Sequence, residues 1–125
     1  MSLPEANVFV ENLDRNANVS LRQVGGGNSV YIHTDNDGKE AVICMDGRRQ
    51  HEQQNKLNQM VLLTKRRAMY AKGCRYHMTP IGQPKFEPLF VKSMQDIARV
   101  MREEYPDRRF TVLRLTEDGK LKRKD

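Results

Sequence analysis

The chain has no tryptophan, four tyrosines, four phenylalanines and two cysteines in 125 residues, and these shortages exclude several kinds of protein. Cys44 and Cys74 stand far apart and neither belongs to a Cys-x-x-Cys pair, so no local zinc knuckle or dithiol redox motif can form. Folding must therefore rest on a packed core, and a reduced, cytoplasmic setting is the expectation. No window approaches the roughly 18 consecutive apolar residues that a membrane span requires. The opening residues Met1 to Asn7 also lack the basic stretch followed by an apolar one that marks a secretory leader. We expect neither secretion nor insertion in a membrane.

Histidine is scarce as well. His33, His51 and His77 include no i, i+4 pair of metal-ligand spacing, and we expect no metal and no cofactor. The run His33-x-Asp35-x-Asp37-Gly38 has a trace of a calcium loop, but its first ligand position holds His and its twelfth holds Cys44, where a bidentate carboxylate is needed. A folded cluster of His33, Asp35, Asp46 and His51 is the one arrangement left for a divalent ion, and separate hydrogen bonding of each group is the more economical reading. Gly25-Gly26-Gly27 lacks the following Lys-Ser/Thr of a phosphate-cradling loop and leads into a strand, so it reads as a turn.

What the chain has in quantity is positive charge. Lys and Arg number 22 against 16 Asp and Glu, a formal +6 and an isoelectric point near 9.5. Such an excess favours a polyanion through counterion release, although it also serves solubility. The apolar fraction of 38% falls into periodic runs, and a chain of this length has room for one core.

Val8–Val10, Val19–Leu21, Val30–Ile32 and Ala41–Ile43 are short, rich in β-branched residues and separated by polar turns, which predicts four strands in an antiparallel meander. Between the last two, Thr34-Asp-Asn-Asp-Gly38-Lys39 has the composition of a tight hairpin. From about Gln50 to Lys72 there is neither proline nor glycine, and Gly73 stands where a left-handed C-cap belongs, so one long helix is predicted. Leu57, Met60, Val61, Thr64, Ala68 and Ala71 give it an inner face. Leu62 with Met69, and Leu63 with Tyr70, make its second half apolar almost all round.

Cys74–Met78 predicts a short strand, and Thr79–Pro88, with three prolines, a connector or interaction loop. Pro88 suits the first turn of a second helix, whose face would be Phe90, Val91, Met94, Ile97, Ala98, Met101 and Tyr105. Arg108–Leu115 and the turn Glu117-Asp-Gly119 then form a hairpin with the last residues. The expected fold is one α+β domain over residues 1–125: a mostly antiparallel sheet, an N-terminal β-meander plus a C-terminal hairpin, packed against two helices at about 50–72 and 88–105.

The basic residues gather in three places: Arg48-Arg49; Lys65-Arg66-Arg67 with Lys72 and Arg75; and Arg108-Arg109 with Lys120, Lys122, Arg123 and Lys124. Phosphate contacts need such spaced donors. Arg48, Arg49, Lys65, Arg66, Lys72, Arg75, Arg108, Arg109, Lys122 and Arg123 are accordingly the expected contacts of a noncatalytic nucleic-acid-binding module, with Tyr70, Tyr76 and Phe86 available to stack on bases. Solvated helix rims make the same pattern. The alternative is a protein-interaction or inhibitor domain, homodimeric or with another partner, using Leu62, Met69 and Tyr70 and the proline-rich loop 79–88. A third reading, a small hydrolase or nuclease, would use His51 and His77 with Lys72, or Cys74 beside Arg75 and His77, and nothing in the spacing compels those groups to meet.

Overall fold

The computed structural model of the chain describes residues 3–27, 29–43 and 51–123. Its contacts divide it into two compact units, Met1–Lys65 and Arg66–Asp125. Each is an antiparallel sheet with helix packed on it, so the fold is α+β with a meander and a hairpin, as the hydrophobic pattern predicts.

The first unit runs α1 (Leu3–Asn12), β1 (Asn18–Gln23), β2 (Ser29–Thr34), β3 (Glu40–Ile43) and the larger part of α2 (His51–Ala71). The strands form a sheet in the order β1-β2-β3. Val8–Val10 is helical, which corrects the expectation of a first strand there. Ala6, Phe9, Val10 and Leu13 recur at helical spacing and all join the core with Val19, Ile43, Leu57 and Met60, whereas Val8 is 59% exposed. Burial of one helical stripe outweighs the strand preference of two valines.

The register Val19↔His33↔Ala41 and Leu21↔Tyr31↔Ile43 puts those residues on one face, where Val19, Tyr31 and Ile43 join the helix-packed core and Leu21 stays half-exposed. Ser20, Arg22, Val30, Ile32, Val42 and Glu40 take the other, by the period of two. On that face Arg22 forks onto the Glu40 carboxylate at 2.7 and 3.2 Å. Polar contacts of Lys56, Asn58 and Thr64 tie α2 to its surroundings within the unit. Lys56 Nζ donates to the carbonyls of Val10 and Glu11 at the end of α1, supplying a cation at the negative end of the helix dipole. Tyr31 Oη donates to Asn58 Oδ1 at 2.5 Å, and burial raises the Tyr31 phenol above its ordinary pKa. Thr64 Oγ1 accepts from Val19 N–H at the outer edge of β1.

The second unit begins in the last turns of α2 and continues with β4 (Tyr76–Pro80), β5 (Leu89–Val91), α3 (Met94–Arg99), β6 (Phe110–Leu115) and β7 (Leu121–Arg123). All strands pair antiparallel in the order β5-β4-β6-β7. Gly73, at φ 104°, closes α2: its N–H donates to Tyr70 O and that of Cys74 to Met69 O, the double bond of a Schellman cap. The predicted helix at 88–105 is shorter than expected. Leu89 and Val91 alternate into the core as a strand, and α3 starts only after Ser93, whose hydroxyl accepts from Asp96 N–H. A π-helical turn, Val100–Glu104, follows it and ends at Tyr105, whose N–H reaches back to Val100 O. Met78, Val91, Ile97 and Val100 are the centre of this core, with Tyr76, Tyr105, Phe110 and Val112 around it.

The two tight hairpins share one construction. Gly38 and Gly119 sit at φ 82° and 84°, their N–H groups donating to Asp35 O and Thr116 O, and Asp35 N–H and Thr116 N–H pair with Lys39 O and Lys120 O. This is the Asp-Gly chemistry that the sequence shows at both places.

Candidate nucleic-acid interface

The division into units partitions the charge. Arg66–Asp125 contains 15 Lys and Arg against 8 Asp and Glu, a formal +7, whereas Met1–Lys65 contains 7 against 8, a formal −1. The whole positive excess of the chain therefore belongs to the second unit. Among the described residues, Lys72, Lys85, Arg109, Lys122 and Arg123 are exposed there and none of them forms a salt bridge.

The residues expected to contact phosphate differ in how they are held. Arg48 and Arg49 lie outside the described residues. Lys65, the last residue of the first unit, is exposed. In the second unit Arg66 is half-buried, and burial lowers its guanidinium pKa. Arg75 stacks 3.7 Å over the Tyr70 ring and donates to Tyr70 O and Cys74 O, so its guanidinium serves the end of α2. Lys122 and Arg123, adjacent on β7, point to opposite faces; Lys122 is opposite Arg114 and in the same row as Tyr76. Of the residues expected at a protein interface, Leu62 in the first unit is 45% exposed. Met69 and Tyr70 in the second are half-buried.

Arg108 leads to an arrangement that charge counting alone does not show. Its guanidinium lies 5.5 Å from the ring centroids of both Phe86 and Tyr105, within cation–π range. Phe86, Tyr105 and Phe110 pack edge-to-face on one another, with centroids 5.6–6.3 Å apart. Two turns of the same design deliver these groups. Gln83-Pro84-Lys85-Phe86 closes with Phe86 N–H donating to Gln83 O, and Tyr105-Pro106-Asp107-Arg108 with Arg108 N–H donating to Tyr105 O. Each has proline at the second position, where its fixed φ suits a β-turn. The pairing Pro80↔Phe110, extended by Ile81 N–H to Arg109 O, brings the two turns side by side. Between them is an open cleft of about 690 Å³ lined by Gln83, Pro84, Lys85, Phe86, Tyr105 and Arg108. Among the described residues, no carboxylate lines it.

Sequence reading singled out Phe86 and Arg108 but missed Lys85 and treated Tyr105 only as core. The available signal was the repeated x-Pro-x-x tetrapeptide ending in an aromatic or a cation, which becomes a site only when the strands pair.

The groups considered for catalysis are disposed differently. His77 is 5% exposed on β4, with its ring edge-to-face against Phe90, and neither ring nitrogen has a hydrogen-bond partner among the described residues. Burial, reinforced by the Arg66 charge, lowers its pKa to about 4. Cys74 is buried. His33 packs edge-to-face on Phe9, and the neighbouring Asp35 accepts from Asp37 N–H and Lys39 N–H in its own turn. No metal-holding group of His, Cys, Asp and Glu is found among the described residues. Cys44 and Asp46 fall outside them.

No family model, no curated protein and no solved structure matches the chain. No helix among the described residues is long and apolar enough to cross a membrane.

Proposed function

We propose that this chain is a noncatalytic nucleic-acid-binding module whose contacts are made by Arg66–Asp125. The observation that carries the reading is the partition of charge: +7 in one unit and −1 in the other. Solubility alone needs no such asymmetry, whereas a single polyanion-binding surface produces it. The exposed side chains of Lys72, Lys85, Arg109, Lys122 and Arg123 are the phosphate contacts of this reading. Arg66 and Arg75 take a supporting role in it, because burial and the end of α2 already engage them.

The test is fluorescence anisotropy with labelled single-stranded DNA, duplex DNA and RNA, run on the full chain from low to physiological salt. Binding is expected to weaken linearly in a plot of log K against log salt. A Lys85→Ala/Arg109→Ala variant is expected to bind more weakly. Absence of binding to all three at low salt would remove the proposal.

A further inference from the structure

Resting on the nucleic-acid reading above, we infer that the cleft between the two proline turns is a stacking site for an unpaired base of a single-stranded nucleic acid. Its walls are half-buried rings, Phe86 and Tyr105, held edge-to-face with Phe110. Its rim carries two cations, Lys85 and Arg108, and no carboxylate among the described residues. A single strand requires this combination: a flat apolar surface for the base, and cations for the phosphates on either side of it.

Charge complementarity favours this occupant. Arg108 makes no salt bridge among the described residues, so its donors remain available to a phosphate while its guanidinium carbon stays 5.5 Å from both ring centroids. Arg109, the next residue, is exposed and also without a salt bridge among the described residues. It continues the cationic track away from the cleft. The proline turns hold the site ready, since both walls are closed by main-chain hydrogen bonds before any ligand arrives. A duplex hides its base faces in its own stack, so the cleft selects single strands.

The experiment exploits the absence of tryptophan from the chain. Phe86→Trp keeps an aromatic wall and introduces a lone reporter. In the full chain its fluorescence should be quenched by oligothymidylate and unaffected by inorganic polyphosphate, which offers charge without bases. In parallel, Phe86→Leu should bind oligothymidylate about tenfold more weakly and polyphosphate as the parent does, with an unchanged circular dichroism spectrum. Equal oligothymidylate affinity in parent and Phe86→Leu proteins, an identical tryptophan response to both polyanions, or a preference for duplex over single strand would overturn the inference and leave the broader nucleic-acid reading standing. If oligothymidylate, duplex DNA, RNA and polyphosphate all fail to bind at low salt, the broader reading fails and the inference fails with it.

Discussion

Thr64 Oγ1 accepts the N–H of Val19 at 3.1 Å and donates to Met60 O at 2.8 Å. Val19 is fully buried at the outer edge of β1, where no neighbouring strand offers an acceptor. One hydroxyl thus satisfies a main-chain donor that water does not reach. Thr64→Val keeps the shape and orphans that donor, so it should destabilise the first unit by about 1–3 kcal/mol. Thr64→Ser should recover most of the loss. Urea unfolding of the three proteins, with hydrogen exchange at the Val19 amide, measures both effects; equal midpoints would show that the bond contributes nothing.

At the C-terminal end of α2, Gly73 holds φ 104°. A Cβ there would touch only the flexible Lys92 side chain, at 3.8 Å, so the cost of Gly73→Ala is conformational. We expect about 1–2 kcal/mol from forcing an L-residue into the left-handed region, and less for Gly73→Asn. Thermal denaturation should rank the proteins Gly, Asn, Ala in falling stability.

His77 makes the second unit sensitive to acid. Its pKa falls from 6.5 in the unfolded chain to about 4 in the fold, so between these values the unfolded chain binds a proton that the fold rejects. Above pH 6.5 the imidazole is neutral in both states and this stability is fully present. As pH falls from 6.5 towards 4 it is lost, up to on the order of 3 kcal/mol. His77→Leu should flatten stability over this window and leave it little changed at pH 7. A parallel fall in both proteins would assign the acid sensitivity to other groups.

The charge partition predicts where salt dependence arises. Lys122→Ala, on β7 beside Arg114, should reduce the slope of log K against log salt by about 0.7–0.9, the share of one phosphate contact. Arg15→Ala, in the unit of formal charge −1, should leave the slope unchanged. Anisotropy titrations at several salt concentrations compare the two, and a larger effect from Arg15 would place the contacts in the first unit.

Local pattern was a good guide where one element decides its own state. The uninterrupted stretch before Gly73 marked α2, and Asp-Gly at Gly38 and Gly119 marked two hairpins, because turn geometry depends on the residues in the turn. It misled at Val8–Val10 and at Leu89–Val91. Both are short apolar runs that fit either period, and packing selected a helix for the first and a strand for the second.

The amino-acid sequence by itself determined the fold class, the long helix and its cap, the hairpin turns and the surplus of positive charge, all of which depend on residue type and near-neighbour spacing. Only the tertiary structure decided that this surplus belongs to one unit, that Arg75 and Arg66 are engaged or buried, and that His77 is enclosed without a hydrogen bond among the described residues. It also made the cleft. Phe86 and Tyr105 are far apart along the chain, and they meet because β4 and β6 pair in a register that sets Pro80 opposite Phe110. Register is a property of two strands and the core beneath them, and no local pattern carries it.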